Sequence, residues 1–84
     1  MKNETIKKEF GRLLCLSRKR ACVTQENMAR TLGVSVRTVS NWEKGCTFIE
    51  DLSIIDDVER LYGINLSLLL DEAIKDIRSR GRKS

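Results

Sequence analysis

Side chains that could bind the edges of base pairs recur at helical spacing between residues 36 and 44. They are small or polar and share one face of a predicted helix: Val36, Arg37, Ser40, Asn41 and Lys44. A helix with such a face fits the major groove of DNA, where the donor and acceptor groups of the bases are exposed. The stretch therefore predicts a surface that reads double-stranded DNA.

Four of these side chains suit contacts with bases. Arg37 is the best candidate for two parallel hydrogen bonds to a guanine, worth about 1–3 kcal/mol of discrimination. Asn41 suits an adenine or a phosphate, and Val36 suits the methyl group of a thymine. Ser40 is short enough to reach either wall of the groove. We therefore expect Arg37 to carry the most sequence preference.

No arrangement of residues for catalysis or metal binding accompanies this surface. Histidine is absent, and Cys15, Cys22 and Cys46 contain no Cys-x-x-Cys pair, which excludes a zinc site of the Cys/His kind. A Gly-rich phosphate loop and a cysteine partnered by a base are also missing. We expect no enzymatic activity, no cofactor and three reduced thiols. A three-thiolate site and a redox role for Cys46 are the alternatives.

Two short helices joined by a tight turn must position this face. Thr24 is a good N-cap for the first helix, and Gly33 can end it in the left-handed conformation. Ser35 can cap the second helix, which Gly45 ends in the same way. Three apolar side chains can point back into the angle between the helices: Val34, Val39 and Trp42. This is the composition of a helix-turn-helix.

The stretch from residue 24 to residue 45 resembles the Cro and phage-repressor type of helix-turn-helix, the XRE family. The residues that match the family pattern without a gap are Thr24, Gln25, Glu26, Ala29, Leu32, Gly33, Val34, Ser35, Thr38, Val39, Ser40, Trp42, Glu43 and Gly45. An ordinary αα-corner would share only the periodicity. The resemblance implies an all-α, compact five-helix domain of the lambda-repressor-like DNA-binding type, with the helix-turn-helix at helices 2 and 3.

The resemblance also implies roles outside the base-contacting face. Gln25 matches a family glutamine that touches phosphate, and Thr38 and Lys44 flank the groove and should likewise hold phosphate. Arg18 matches a family arginine that forms a buried or half-buried ion pair with the glutamate matching Glu43. A solvated surface arginine is the alternative for Arg18. The family commonly has glycine where this chain has Cys22, so either the first helix ends differently or Cys22 is mildly strained.

Charge divides the 84-residue chain into three parts. Residues 1–46 carry ten Lys and Arg against four Asp and Glu, residues 47–77 carry two against eight, and residues 78–84 carry four basic residues and no acidic one. DNA would be attracted to the first part, which holds the helix-turn-helix, and repelled by the second. No apolar run approaches the ~20 residues of a membrane span, and no signal peptide is visible. We expect a cytoplasmic protein without membrane contact.

The remaining helices complete a domain over residues 1–77. Asn3 can cap a first helix ending near Arg20, Asp51 a fourth helix ending at Gly63, and Asn65 a fifth helix reaching Ile77. The fifth helix has more apolar surface than a five-helix core needs. We expect it to supply a two-fold dimer contact, through Leu66, Leu68, Leu69, Ala73 and Ile77. The alternative is that these residues finish the monomer core.

The tail, residues 78–84, is expected to be disordered, with added phosphate contacts as the alternative. The predicted function is that of a sequence-specific transcriptional regulator, a repressor, which binds a near-palindromic operator as a homodimer. The alternative is an antitoxin-like or other protein-binding module that uses the same fold to engage a partner protein.

Overall fold

Five α-helices make up the computed structural model, which describes the backbone of residues 3–81 and the side chains of residues 5–79. They are α1 (Asn3–Arg20), α2 (Gln25–Leu32), α3 (Val36–Lys44), α4 (Leu52–Tyr62) and α5 (Leu66–Gly81). The described residues form no strand. The predicted all-α fold with a helix-turn-helix at its second and third helices is confirmed. None of the helices in the described part of the chain is long and apolar enough to cross a membrane.

The ends of α2 and α3 follow the predicted capping residues. Thr24 accepts a hydrogen bond from the backbone N–H of Asn27, and Ser35 accepts one from that of Thr38. Gly33 and Gly45 end the two helices in the left-handed conformation, at φ 73° and φ 81°. The caps satisfy backbone groups that helix ends leave unpaired, and they define both helices locally.

Side chains cap the starts of both α4 and α5. Asp51 caps α4 by accepting from the backbone N–H of Ser53 at 2.9 Å. At the start of α5, Asn65 Oδ1 accepts from the N–H of Leu68 at 3.1 Å, and Glu59 Oε2 accepts from the N–H of Leu66 at 3.2 Å. Both predicted caps, Asp51 and Asn65, are confirmed. The predicted cap at Asn3 rests on a side chain that lies outside the described ones.

The core is built around α1, which packs against α3 on one side and α5 on another. Its members come from all five helices and from the turns that follow α3 and α4: Phe10, Leu14, Met28, Ala29, Leu32, Val39, Trp42, Ile49, Val58, Ile64, Leu66, Leu69 and Ala73. The side chain of Arg12, on α1, lies 3.5 Å from the Asp76 carboxylate on α5. Helix α3 therefore packs on a helix that α5 supports from another side.

Part of the predicted dimer contact lies in this core. Leu66, Leu69 and Ala73 are buried within the single chain, because one side of α5 packs on α1. They cannot supply surface to a partner, so the prediction is wrong for these three residues and the monomer-core alternative holds for them. Leu68 is 57% exposed and Ile77 is half-buried, so both remain open to a partner.

The basic tail does not begin where the sequence predicted. Helix α5 continues to Gly81, so residues 78–81 are helical instead of disordered. No proline interrupts this stretch, and an established helix adds residues more easily than it nucleates. The rest of the predicted tail, residues 82–84, lies outside the described residues.

The turn that follows α1 contains a left-handed residue that is not glycine. Cys22 has φ 60°, and its N–H donates to the carbonyl of Lys19 at 2.9 Å. The next residue, Val23, donates to the Arg18 carbonyl at 3.2 Å. A side chain in this conformation costs roughly 1–2 kcal/mol. Of the two possibilities for Cys22, the structure shows the strained one.

Candidate nucleic-acid interface

The predicted base-contacting side chains lie together on the outer face of α3. Val36 is 40% exposed, Arg37 is exposed, and Ser40 and Asn41 are half-buried. On the opposite face Val39 and Trp42 are buried in the core. Among the described residues, no carboxylate forms a salt bridge with Arg37. Its guanidinium is therefore available to a ligand.

The predicted phosphate-contacting side chains lie at the edges of this face. Lys44 is exposed in the last turn of α3. Thr38 is half-buried, and its hydroxyl lies 2.9 Å from that of Ser35, so the two hydroxyls share a hydrogen bond at the start of α3. Gln25 is the first residue of α2, where backbone N–H groups that lack an intrahelical partner attract anions.

Helix α3 lies very close to α1. A Cβ built on Gly11 would lie 2.6 Å from the carbonyl oxygen of Glu43 and would also clash with that of Trp42. Only a residue without a side chain can occupy that position at this separation. The close approach of α3 therefore requires a glycine at residue 11.

A buried network of charged and polar side chains joins α1, α2 and α3. Arg18 donates from Nε to Glu43 Oε2 at 2.6 Å and from Nη2 to Glu43 Oε1 at 3.2 Å. The Gln25 amide donates to Glu43 Oε1 at 2.8 Å, and Arg18 Nη1 donates to the carbonyl of Val23 at 2.6 Å. The side chains of Arg18 and Glu43 are only 9% and 5% exposed. The ion pair that the resemblance implied is thus present in the structure.

The network keeps Glu43 ionised despite its burial. Burial by itself raises the pKa of Glu43, but hydrogen bonds from Arg18 and Gln25 outweigh it, so the pKa lies below its ordinary value. The hydrogen bond to Glu43 likewise raises the pKa of Arg18. A buried pair that is hydrogen-bonded at both ends is costly to break, because removing one partner leaves a buried charge unpaired. The pair therefore locks α3 in place relative to α1.

Sequence reasoning did not predict two members of this network. The Gln25 amide was assigned to phosphate only, yet it binds Glu43 and is held at the start of α2 by that bond. The Cys15 thiol accepts a hydrogen bond from Arg18 Nη2 at 3.7 Å. Cys15 precedes Arg18 by three residues on one helix, and that spacing was the available signal. No local pattern links Gln25 to Glu43.

The described residues contain no group of three His, Cys, Asp or Glu side chains that could hold a metal ion. Cys15 is half-buried, Cys22 and Cys46 are exposed, and all three are free thiols. The side chain of Arg12 lies 2.5 Å from the buried Glu9 carboxylate and 3.5 Å from that of Asp76.

The fold and this surface together define a lambda-repressor-like helix-turn-helix domain. A helix-turn-helix family model matches residues 17–69, more than half of the chain. The chain therefore belongs to the Cro/C1-type helix-turn-helix family, whose members are DNA-binding regulators of transcription. Among curated proteins, none matches the chain closely enough to add a relative.

Proposed function

We propose that this protein is a transcriptional repressor that binds a specific, near-palindromic operator as a homodimer, with α3 in the major groove. The observation that carries the proposal is the contrast across α3. Its back is fixed by the ion pair of Arg18 with Glu43, whereas its front presents Arg37 without an ionic partner among the described residues. A rigid helix with unpaired donors on its outer face is suited to direct readout of base pairs.

The proposal assigns base contacts to the exposed face of α3. Arg37 binds a guanine through two hydrogen bonds, and Val36 contacts a thymine methyl group. Ser40 and Asn41, one turn further along, bind base edges or the adjacent backbone. Because the outer face of α3 is only two to three turns long, each copy of the domain reads a few base pairs.

Phosphate contacts position this helix. Gln25 and the free N–H groups at the start of α2 bind one strand of the backbone, and Thr38 and Lys44 bind beside the groove. The hydrogen bond between Gln25 and Glu43 supports this assignment, since it orients the amide before DNA arrives. Repression is the simpler role, because occupying an operator is sufficient to block transcription, whereas activation also needs a contact with the transcription machinery.

Dimerisation is proposed around Leu68, because the other two leucines expected at the contact, Leu66 and Leu69, are buried in the core of the single chain. Leu68 lines a shallow pocket together with Arg20 and Glu72, which carry opposite charges. A two-fold axis through this face would bring Arg20 of one copy towards Glu72 of the other while covering both Leu68 side chains. The hydroxyl of Tyr62, which also lines the pocket, is buried without a hydrogen-bond partner among the described residues.

The dimer face is tested by sedimentation of matched leucine variants. Leu68→Asp should give a monomer, whereas Leu52→Asp, at an even more exposed leucine (80%) in the first turn of α4, should leave the dimer intact. Arg20→Glu should weaken the dimer, and Arg20→Glu combined with Glu72→Arg should restore it. A Leu68→Asp protein that stays dimeric would exclude this face.

Selection of bound sites from random double-stranded DNA tests the function as a whole. The expected result is one enriched motif of two inverted half-sites, with centres about one helical turn, or ~34 Å, apart. Two protein chains should be bound to each selected duplex. Recovery of no preferred sequence, or of a single half-site bound by one chain, would contradict the proposal.

A protein-binding module of antitoxin type is the second candidate. Exposed leucines on α4, Leu52 and Leu61, favour it because a bound partner protein could cover them. The two candidates differ in what accompanies the purified protein. A repressor should elute with nucleic acid that salt releases, whereas a partner-binding module should elute without nucleic acid.

A further inference from the structure

We propose that three lysines around the carboxyl end of α3, Lys7, Lys8 and Lys44, form a second phosphate-binding site that holds the DNA backbone beyond the bases read by α3. This lysine cluster rests on the proposed DNA binding but adds residues of α1 to it. Neither the helix-turn-helix resemblance nor the charge pattern assigned a role to Lys7 or Lys8.

Close packing of α1 on the end of α3 places Lys8 in the cluster. A Cβ built on Gly45 would lie 2.5 Å from the Cα of Lys8 and 2.8 Å from its Cγ. The aliphatic part of the Lys8 side chain therefore runs directly beside the residue that ends α3. Lys8 is exposed, and so is Lys44 in the last turn of α3.

An aromatic contact places Lys7 at the same end. The Lys7 ammonium lies 5.7 Å from the centroid of the Phe48 ring, in the loop that follows α3. Phe48 in turn packs edge-on against Phe10, with 5.7 Å between ring centroids. A cation over an aromatic face is attracted by the ring, so this contact keeps the Lys7 ammonium beside the loop.

The cluster has no anionic partner within the described part of the chain. None of the three ammonium groups forms a salt bridge there. The loop carries two carboxylates, Glu50 and Asp51, of which Asp51 is engaged in capping α4. Three like charges around the end of α3, none of them in a salt bridge with a described carboxylate, favour a polyanionic ligand over water.

The position along α3 indicates which part of the DNA these lysines meet. In helix-turn-helix proteins, the first residues of the reading helix contact the bases. Nine residues at about 1.5 Å each span roughly 13.5 Å, somewhat more than the ~12 Å width of the major groove. The carboxyl end of α3 therefore reaches the groove wall, where phosphates and not base edges are exposed.

A purely structural role makes a different prediction. Ammonium groups near a helix carboxyl end stabilise that end through the helix dipole. If that were their whole role, removing them would lower thermal stability without changing the salt dependence of DNA binding. The two roles can therefore be separated by measuring both quantities on the same variants.

The test measures the affinity of the full chain for a mixed-sequence duplex of about two helical turns over a range of salt concentrations. Lys8→Ala should reduce the slope of log affinity against log salt by about 0.9 per protein chain, and Lys8→Ala with Lys44→Ala should reduce it by about twice that. Lys8→Arg should keep the wild-type slope. Lys75→Ala removes an exposed lysine from α5 and serves as the matched control.

Thermal unfolding of each variant shows that it is folded, and alanine is favourable in a helix such as α1. A slope for Lys8→Ala equal to that of Lys75→Ala would overturn the lysine cluster while leaving DNA binding by α3 intact. If the wild-type protein bound no duplex at low salt, both the cluster and the proposed function would fall. If Lys8→Ala with Lys44→Ala reduced the slope no further than Lys8→Ala alone, the cluster as defined would also be overturned.

Discussion

The two faces of α3 differ in how tightly they are packed and in which side chains they expose. The back is tightly packed: Gly11 of α1 lies against the backbone of α3, Gly45 lies against Lys8, and Glu43 is buried in an ion pair. The front is open, with Arg37 exposed and unpaired among the described residues and Val36 40% exposed. One short helix thus has a back that holds it in the fold and a front that is exposed to a ligand. Substitutions on the back should change stability, and substitutions on the front should change DNA recognition alone.

Removing the buried carboxylate should have the largest effect. Glu43→Ala leaves Arg18 buried without a partner, which typically costs about 3–5 kcal/mol of unfolding free energy. Urea denaturation measures the loss. Glu26→Ala, at an exposed glutamate in the first turn of α2, is the control and should cost far less. An unchanged midpoint for Glu43→Ala would show that the pair does not hold the back of α3.

The same pair predicts how stability depends on acid. The pKa of Glu43 in the folded protein lies below its ordinary value of 4.5, so the pair contributes fully above about pH 4.5. The contribution is lost as the pH falls through the lowered pKa, because the proton must first be added against the ion pair. In acid titrations of unfolding free energy, Glu43→Gln should therefore lose less stability below pH 4.5 than the wild type. Parallel curves would contradict this sign.

Two glycines in the same left-handed conformation separate the cost of that conformation from the cost of a steric clash. Gly45→Ala should cost about 1–2 kcal/mol for the left-handed conformation and about 1–3 kcal/mol more for the clash with Lys8. Gly33→Ala should cost only the first amount, because a Cβ added at Gly33 would meet nothing within 4 Å. Thermal unfolding of both variants gives the difference. Equal losses would mean that the end of α3 can move away from α1 freely.

The crossing of α1 and α3 gives a smaller effect. Gly11→Ala should lower the free energy of unfolding by about 1–3 kcal/mol, because its methyl group pushes on the backbone of α3. Taken alone, the helix propensity of alanine would raise stability by about 1 kcal/mol. The sign of the measured change therefore decides between close packing and intrinsic propensity at this position.

On the front of α3, the smallest effect on stability is expected. Arg37→Ala should leave the melting temperature unchanged and should relax preference at one base pair of each half-site, by about 1–3 kcal/mol. Lys44→Ala should instead weaken binding to all sequences alike. Binding of both variants to a randomised site library separates the two outcomes. An equal loss across the library for both would remove the distinction between reading and positioning.

Local features of the fold could be predicted from the sequence because they depend on a few neighbouring residues. Thr24, Ser35 and Asp51 cap helices through bonds to backbone groups two or three residues away, and Gly33 and Gly63 end helices by their own conformation. The outer face of α3 followed from spacing alone. The pair of Arg18 and Glu43, 25 residues apart, came only from the family resemblance.

Contacts between distant residues could not be obtained in this way. Leu68 and Leu69 are neighbours of the same type, yet Leu69 is buried and Leu68 is not, because α1 covers only one side of α5. The dimer prediction failed at Leu66, Leu69 and Ala73 for this reason. The number of apolar residues in α5 can be read from the sequence, but the side of α5 that α1 covers cannot.

The sequence alone was enough to predict where α2, α3 and α4 begin and end, which family pattern they match, and which side chains α3 turns outward. Only the tertiary structure decided that Gln25 binds Glu43, that Lys8 lies against Gly45, and how the leucines of α5 divide between core and surface. The physical reason is range: caps and periodicity act within one or two turns of a helix, whereas packing depends on how helices far apart in the chain meet.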